Sequence, residues 1–154
     1  NLTRGEGLMS HLFHEYGPDA GEIPARRNGV LVSMENGTVT PFALDILQNR
    51  GKMMVGPGDK IYKGMIAGEN LRDNDLPVNA VRSKHLNNIR SSGDGKGIIL
   101  KSPLVLSLER ALEYIAPDEY VEATPSTLRL RKKILDEHAR KRAEKALAAQ
   151  TATP

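Results

Sequence analysis

Short apolar stretches separated by turn residues are the feature that most limits what this chain can fold into. Its 154 residues include 14 glycines and 9 prolines, which divide the sequence into apolar runs of only a few residues. Runs of this kind are typical of β-strands. About eight of them, with about two or three helical patterns placed among them, predict an α+β fold that is β-rich, barrel-like and partly closed.

The predicted strands share apolar or β-branched residues and a turn signal at one end. They cover residues 7–16, 30–34, 38–39, 61–67, 78–81, 98–100, 120–123 and 127–131. Asn36 and Gly37 predict a type I′ turn that pairs the second strand with the third. Gly64 lies inside the fourth strand and predicts a bulge or a corner there.

Three helices are predicted from capping residues and from apolar spacing. Thr40 and Pro41 begin the first helix, and Gly51 stands where a left-handed C-terminal residue belongs. Ser107 caps the second helix. The third helix covers residues 134 to 149 and carries basic side chains on several sides.

Charge and composition exclude several classes of protein. The chain has a net charge of +3 and no cysteine, so it contains neither a disulfide framework nor a thiolate site. A cysteine-free chain without a long apolar run or a secretory signal favours a cytoplasmic protein that does not span a membrane. Eight basic and three acidic residues lie between positions 127 and 145, a distribution that favours a polyanionic partner. Only four tyrosines and two phenylalanines are present, which favours phosphate contacts over base stacking.

The longest predicted loop, residues 82–97, is the first candidate binding site. Only Leu86 and Ile89 interrupt its polar, basic and glycine residues. The loop combines cations with neutral hydrogen-bond donors, and both kinds of side chain bind phosphate oxygens. They include Arg82, Lys84, Asn87, Asn88, Arg90, Ser91 and Ser92. Composition alone is more typical of a solvated mobile loop than of a binding loop.

The end of the last predicted strand is the second candidate. Its basic residues are Arg129, Arg131, Lys132 and Lys133. Strand alternation places Arg129 and Arg131 on one face, while Leu128 and Leu130 enter the core. The basic face fits an RNA backbone, and it equally fits an edge strand that charge protects from aggregation.

The sequence gives little support for a catalytic site or a metal site. His11 and His14 face opposite sides of a strand, so they cannot share a metal ion. Asp73 and Asp75 are more typical of a turn cap than of a cation site. A hydrolase would need Asp73, Asp75 and His85 to converge in one pocket. The sequence therefore predicts no catalytic residue and no metal ligand.

Five segments together resemble a known family. They cover residues 23–33, 56–66, 72–76, 108–115 and 129–133. In this order they resemble the C-terminal part of the translational GTPases of the BipA or TypA family, and the resemblance extends to Arg142. Residues 1–20 are similar to the last strand of the preceding domain, which resembles a domain of elongation factor G. Residues 21–146 then form the family-specific domain, and residues 147–154 a disordered tail.

The resemblance implies a non-catalytic module of a ribosome-binding factor that serves translation, ribosome assembly or the stress response. GTP and Mg²⁺ would bind a domain outside this chain, which would itself need no cofactor. The module would contact the large ribosomal subunit near the A-site, with rRNA and possibly the tRNA acceptor end as partners and without a membrane. A monomer is expected in function, and exchange of the first strand between two copies would give a dimer. The alternative is a protein-interaction or spacer domain that packs on the rest of its own chain without affinity for RNA.

The resemblance assigns RNA contact to the whole 82–94 segment, which adds His85 and Gly93 to the residues above. The sequence departs from the family at three positions. The family usually has lysine where His85 stands, threonine where Asn87 stands and glycine where Ala25 stands. His85 lowers the local positive charge at neutral pH.

Overall fold

The computed structural model describes residues 6–19, 21, 26–83 and 98–151, which form an α+β fold. Their elements, numbered in chain order, are β1 (Val30–Ser33), β2 (Gly37–Thr38), α1 (Pro41–Leu47), β3 (Gly51–Met53), β4 (Lys60–Ile61), β5 (Ile66–Asn70), β6 (Leu76–Val78), α2 (Leu108–Tyr114), β7 (Glu119–Ala123), β8 (Leu128–Lys132) and α3 (Glu137–Thr151).

The strands form one four-stranded sheet and two small ribbons. The order in the large sheet is β3-β5-β1-β6, with β1 antiparallel to β5 and parallel to β6. Strand β2 pairs with β4, and β7 with β8, both antiparallel. The predicted β-rich α+β fold is confirmed, and the described strands do not close into a barrel.

Strand β1 lies at the centre of the core because both of its faces are covered. Leu31 packs in a cluster with residues of α1, β3 and β4, such as Leu44 and Ile61. Val30 and Val32 pack on the opposite face, in a second cluster with α2 and β8. A strand that is buried on both faces needs a continuous apolar run, which this segment supplies.

A turn at Gly64 joins the large sheet to the β7–β8 ribbon. The Gly64 N–H donates to the Ser33 carbonyl at 2.9 Å, and the Gly64 carbonyl accepts from the Lys132 N–H at 2.9 Å. Gly64 has a φ of +85°, in the region that favours glycine. The predicted strand 61–67 is therefore divided into β4 and β5, with the predicted irregularity at Gly64.

The predicted hairpin at Asn36 and Gly37 is wrong. Strand β1 already has β5 and β6 as neighbours, so the residues after the turn pair with β4 instead. The Asn36 Oδ1 accepts from the Lys63 N–H at 2.8 Å, which ties this turn to the turn at Gly64. Gly51, predicted to end α1, is the first residue of β3. A side chain there would collide with the backbone of Glu69 on β5.

Two other predicted strands are absent, and one helix is displaced along the chain from its predicted position. Residues 7–16 and 98–100 belong to no strand, and residues 6–19 are exposed throughout. An apolar run becomes a strand only where a neighbouring strand accepts its hydrogen bonds. Helix α3 covers Glu137–Thr151, so it begins three residues later and ends two residues later than the predicted helix 134–149.

The helices predicted from their caps are confirmed. The Thr40 Oγ1 accepts from the Ala43 N–H at 3.1 Å, and the Ser107 Oγ accepts from the Arg110 N–H at 3.4 Å. Within the described residues, no helix has both the length and the apolar character that crossing a membrane requires.

Candidate nucleic-acid interface

Most of the first candidate site falls outside the described residues. This applies to Lys84, His85, Asn87, Asn88, Arg90, Ser91, Ser92 and Gly93. Arg82, at the start of the segment, is described and exposed. The structure therefore describes how the two ends of the 84–97 segment are held.

The N-terminal end is held by Thr40, the N-cap residue that precedes helix α1. The Thr40 Oγ1 donates to the Arg82 carbonyl at 2.5 Å, and the Thr40 N–H donates to the Ala80 carbonyl at 3.1 Å. The same hydroxyl accepts from the Ala43 N–H and caps the helix. One side chain thus begins the helix and fixes the backbone that carries Arg82.

The C-terminal end is held by Gln48, the C-cap residue that follows the same helix. The Gln48 Nε2 donates to the Ile99 carbonyl at 3.1 Å, and its Oε1 accepts from the Lys101 N–H at 3.1 Å. The Asp45 Oδ1 accepts a further hydrogen bond from Gln48 Nε2 at 2.9 Å and orients the amide. Thr40 and Gln48 are eight residues apart, so at 1.5 Å per residue the helix sets the two anchors roughly 12 Å apart along its axis.

The second candidate site lies on the outer face of the β7–β8 ribbon. Tyr120 is opposite Arg131, and Glu122 is opposite Arg129. These side chains share a face because β-strand residues alternate, and Leu130 is buried on the other face. The prediction for Arg129, Arg131 and Leu130 therefore matches the register. It is wrong for Leu128, which is 38% exposed near the end of the ribbon.

The acidic residue on this face is already paired. The Glu122 Oε1 lies 2.7 Å from the Arg131 Nε, and its Oε2 accepts from the Tyr62 hydroxyl at 2.5 Å. Burial and this bond to Glu122 raise the pKa of Tyr62, so its hydroxyl stays protonated and keeps donating. Glu122 thus offsets the charge of Arg131, and the charges of Arg129 and Lys133 remain.

Lys132 points into the protein, unlike its three basic neighbours. Its side chain is 3% exposed, and its Nζ lies 2.5 Å from Asp75 Oδ2, 2.7 Å from Asp118 Oδ2 and 2.9 Å from Glu119 Oε1. A phosphate outside the protein cannot reach this ammonium unless these pairs break. Strand alternation in the sequence indicates this inward position, because it places Lys132 on the same face as Leu128 and Leu130.

Arg26 completes this buried network. Its guanidinium binds Glu119 through both nitrogens, with Nη1 to Oε2 at 2.7 Å and Nη2 to Oε1 at 2.5 Å. Burial alone would raise the pKa of Glu119. Arg26, the Ala116 N–H and Lys132 outweigh it and hold the pKa of this carboxyl below its ordinary value.

The three carboxylates around Lys132 lie close enough to hold a metal ion, but the lysine ammonium contacts all three. Asp75 also accepts from the Val30 N–H at 2.9 Å, which agrees with a structural role at a turn. His85, the third member of the hydrolase alternative, lies outside the described residues. The described residues thus hold Asp75 in a network that fixes β1, β6 and β8 together.

These features define a small α+β domain with an exposed basic ribbon face and a basic segment anchored at both ends of one helix. The chain belongs to the family described as "TypA/BipA C-terminal domain", which matches residues 28–137. This confirms the resemblance found in the sequence.

Three relatives are each named "Large ribosomal subunit assembly factor BipA". The chain is 47% identical to the Bacillus subtilis protein over 94% of its own length and 24% of the relative's. The identity is 47% to the Synechocystis protein, over 85% and 22%, and 45% to the Salmonella typhimurium protein, over 94% and 24%. The chain therefore spans about a quarter of the length of these relatives.

Proposed function

We propose that this chain is the ribosome-binding module of a translational GTPase and contacts rRNA of the large subunit near the A-site. The observation that carries the proposal is family membership over residues 28–137, with relatives named as large-subunit assembly factors. The module itself is non-catalytic and acts in the cytoplasm. GTP and Mg²⁺ bind elsewhere in the whole protein.

The anchored segment supplies the main contact in this proposal. Arg82, Lys84 and Arg90 capture the rRNA backbone electrostatically, and neutral donors then hydrogen-bond to phosphate oxygens. These donors are Asn87, Asn88, Ser91 and Ser92. His85 and Gly93 lie in the same contact, which extends to the tRNA acceptor end.

The ribbon face supplies the second contact. Arg129, Arg131 and Lys133 follow the RNA backbone, whereas Lys132 keeps the ribbon attached to the large sheet. The support is the position of these side chains on the outer face, where Arg131 already neutralises Glu122 and leaves Arg129 and Lys133 with their full charge. Each phosphate contact contributes about 0.7–0.9 to the slope of log affinity against log salt.

A triple variant, Arg82→Ala, Lys84→Ala and Arg90→Ala, tests this mechanism. We expect weaker binding to isolated large subunits and a salt slope smaller by about 2 to 3, measured by sedimentation over a salt series. The matched control is Arg110→Ala, Arg142→Ala and Lys145→Ala, which removes the same charge from exposed helical positions. Equal losses in both triple variants would contradict the assignment of the 82–97 segment.

A second candidate function, a domain that packs on the rest of its own longer chain, has its own observation. Leu8, Leu12 and Tyr16 are each more than nine-tenths exposed, and Phe13 is 74% exposed. Apolar side chains this exposed favour a protein partner, such as a preceding domain or a second copy. This alternative expects no binding to ribosomal subunits. Light scattering would separate a monomer from a dimer that has exchanged residues 1–20.

A further inference from the structure

The outer face of the β7–β8 ribbon presents one aromatic ring next to two cations. The Tyr120 side chain is 47% exposed, although its residue is paired with Arg131 inside the β7–β8 ribbon. Its ring centroid lies 5.1 Å from the Arg131 Cζ and 5.0 Å from the Lys133 Nζ. Both distances are within the range of a cation–π interaction.

This arrangement is held in place by its neighbours. The Arg131 Nε lies 2.7 Å from Glu122, and its Nη1 donates to the Lys132 carbonyl at 3.2 Å. Glu122 is fixed in turn by the Tyr62 hydroxyl at 2.5 Å. A planar guanidinium beside an exposed ring therefore exists before any partner binds, which lowers the entropic cost of binding.

The face also carries positive charge that the described residues leave unpaired. Over residues 6–19, 26–83 and 98–151, no carboxylate forms an ion pair with Arg129 or Lys133. The one acid on the face, Glu122, is matched by Arg131. An anionic partner would therefore meet complementary charge on this face.

We propose that this surface, the Tyr120 platform (Tyr120, Glu122, Arg129, Arg131 and Lys133), binds one unpaired nucleotide of RNA. The base stacks on the Tyr120 ring, and the adjoining phosphates contact Arg129 and Lys133. The proposal rests on the proposed function for its partner and adds what that partner presents, namely an unstacked base rather than a regular duplex. An acidic peptide would use the cations and leave the exposed ring without a role.

Two probes separate stacking from charge. The wild-type chain, Tyr120→Leu and Tyr120→Phe are titrated against a single-stranded oligoadenylate and against an abasic strand of equal length, by fluorescence anisotropy at constant salt. We expect Tyr120→Leu to bind oligoadenylate roughly 5- to 150-fold more weakly, because this is the affinity that stacking of one base on an aromatic ring contributes. Its binding to the abasic strand should be unchanged. Tyr120→Phe keeps the ring and should bind like wild type. Lys133→Gln should weaken both probes, and it serves as the test if Tyr120→Leu does not fold.

The outcomes separate this inference from the proposed function. Equal wild-type affinity for the two probes, or unchanged oligoadenylate binding by a folded Tyr120→Leu, overturns the platform even if large subunits are bound. Stronger binding of a polyglutamate peptide than of oligoadenylate overturns it in favour of an acidic protein partner. Tyr120-dependent oligoadenylate binding without any affinity for large subunits supports the platform and contradicts the proposed function.

Discussion

At the scale of single residues, Glu119 is the side chain whose loss should cost most. Its carboxylate is fully buried and contacts Arg26, Lys132 and the Ala116 N–H. Glu119→Gln leaves two buried cations without this partner, and we expect it to lower the free energy of unfolding by about 3 kcal/mol. Urea unfolding measures this, with the exposed Glu113→Gln as a control expected within about 0.5 kcal/mol of wild type. Equal stability of the two variants would contradict the network.

Two carboxyl groups make stability depend on acid pH. The pKa of Glu119 is held below its ordinary 4.5, and Lys63 and the Ala139 N–H lower the pKa of Asp136 from 3.8 to about 2. A carboxyl group whose pKa is lower in the folded state stabilises the fold at pH values above its ordinary pKa. This stabilisation is lost as the pH falls through the pKa that the group has in the folded state. We expect the free energy of unfolding to fall below about pH 4.5. The fall should be shallower in Glu119→Gln. Urea titrations at several pH values test this, and parallel curves for both proteins would refute it.

Alanine variants at Gly64 and Gly58 would separate the cost of backbone strain from the cost of steric conflict. Both have a positive φ, +85° and +90°. A Cβ at Gly64 would lie 2.7 Å from the Leu135 Cα, whereas a Cβ at Gly58 has no neighbour within 4 Å. Gly58→Ala should cost about 1–2 kcal/mol through backbone strain alone, and Gly64→Ala should cost clearly more. Urea unfolding of both variants measures the difference, and equal losses would mean that the Gly64 turn yields to the added methyl group.

At the scale of elements, helix α1 anchors the proposed rRNA-binding segment at both ends. Gln48→Ala removes the hydrogen bonds to Ile99 and Lys101. We expect amide hydrogen exchange at Lys101 to rise roughly five-fold, because the hydrogen bond that its N–H loses contributes about 1 kcal/mol. Asn49→Ala is the control, since its side chain donates to the Asp45 carbonyl of the same helix. Unchanged amide exchange in Gln48→Ala would mean that these hydrogen bonds do not stabilise the backbone at Lys101.

Elements with local signals were predictable from the sequence. Thr40 and Ser107 mark helix starts, and the alternation of Arg129, Leu130 and Arg131 predicts which side of β8 is exposed. Local signals did not predict strand pairing, because pairing depends on residues that are distant in the sequence. Asn36 and Gly37 form no hairpin because β5 and β6 occupy both edges of β1.

The candidate site shows the same division. The basic residues of the ribbon were predictable because charge and alternation are local properties. The burial of Lys132 was not predicted, since its partners Asp75, Asp118 and Glu119 come from other turns and strands. The position of Tyr120 beside Arg131 depends on the ribbon register, which the sequence alone does not state.

At the scale of the whole molecule, the buried network and the exposed cations have different roles. Arg26, Glu119 and Lys132 hold the ribbon on the large sheet, and Arg129 and Lys133 face outward. The ribbon is therefore a rigid support for surface charge. A module of this kind should bind a polyanion without a large change of its own fold.

The proposed function requires this chain to bind the large ribosomal subunit through phosphate contacts. Co-sedimentation with isolated large and small subunits, each at a low and a high salt concentration, tests it most directly. We expect binding to the large subunit that is weakened by salt, and little binding to the small subunit. Equal binding to both subunits, or binding that salt does not weaken, would contradict it.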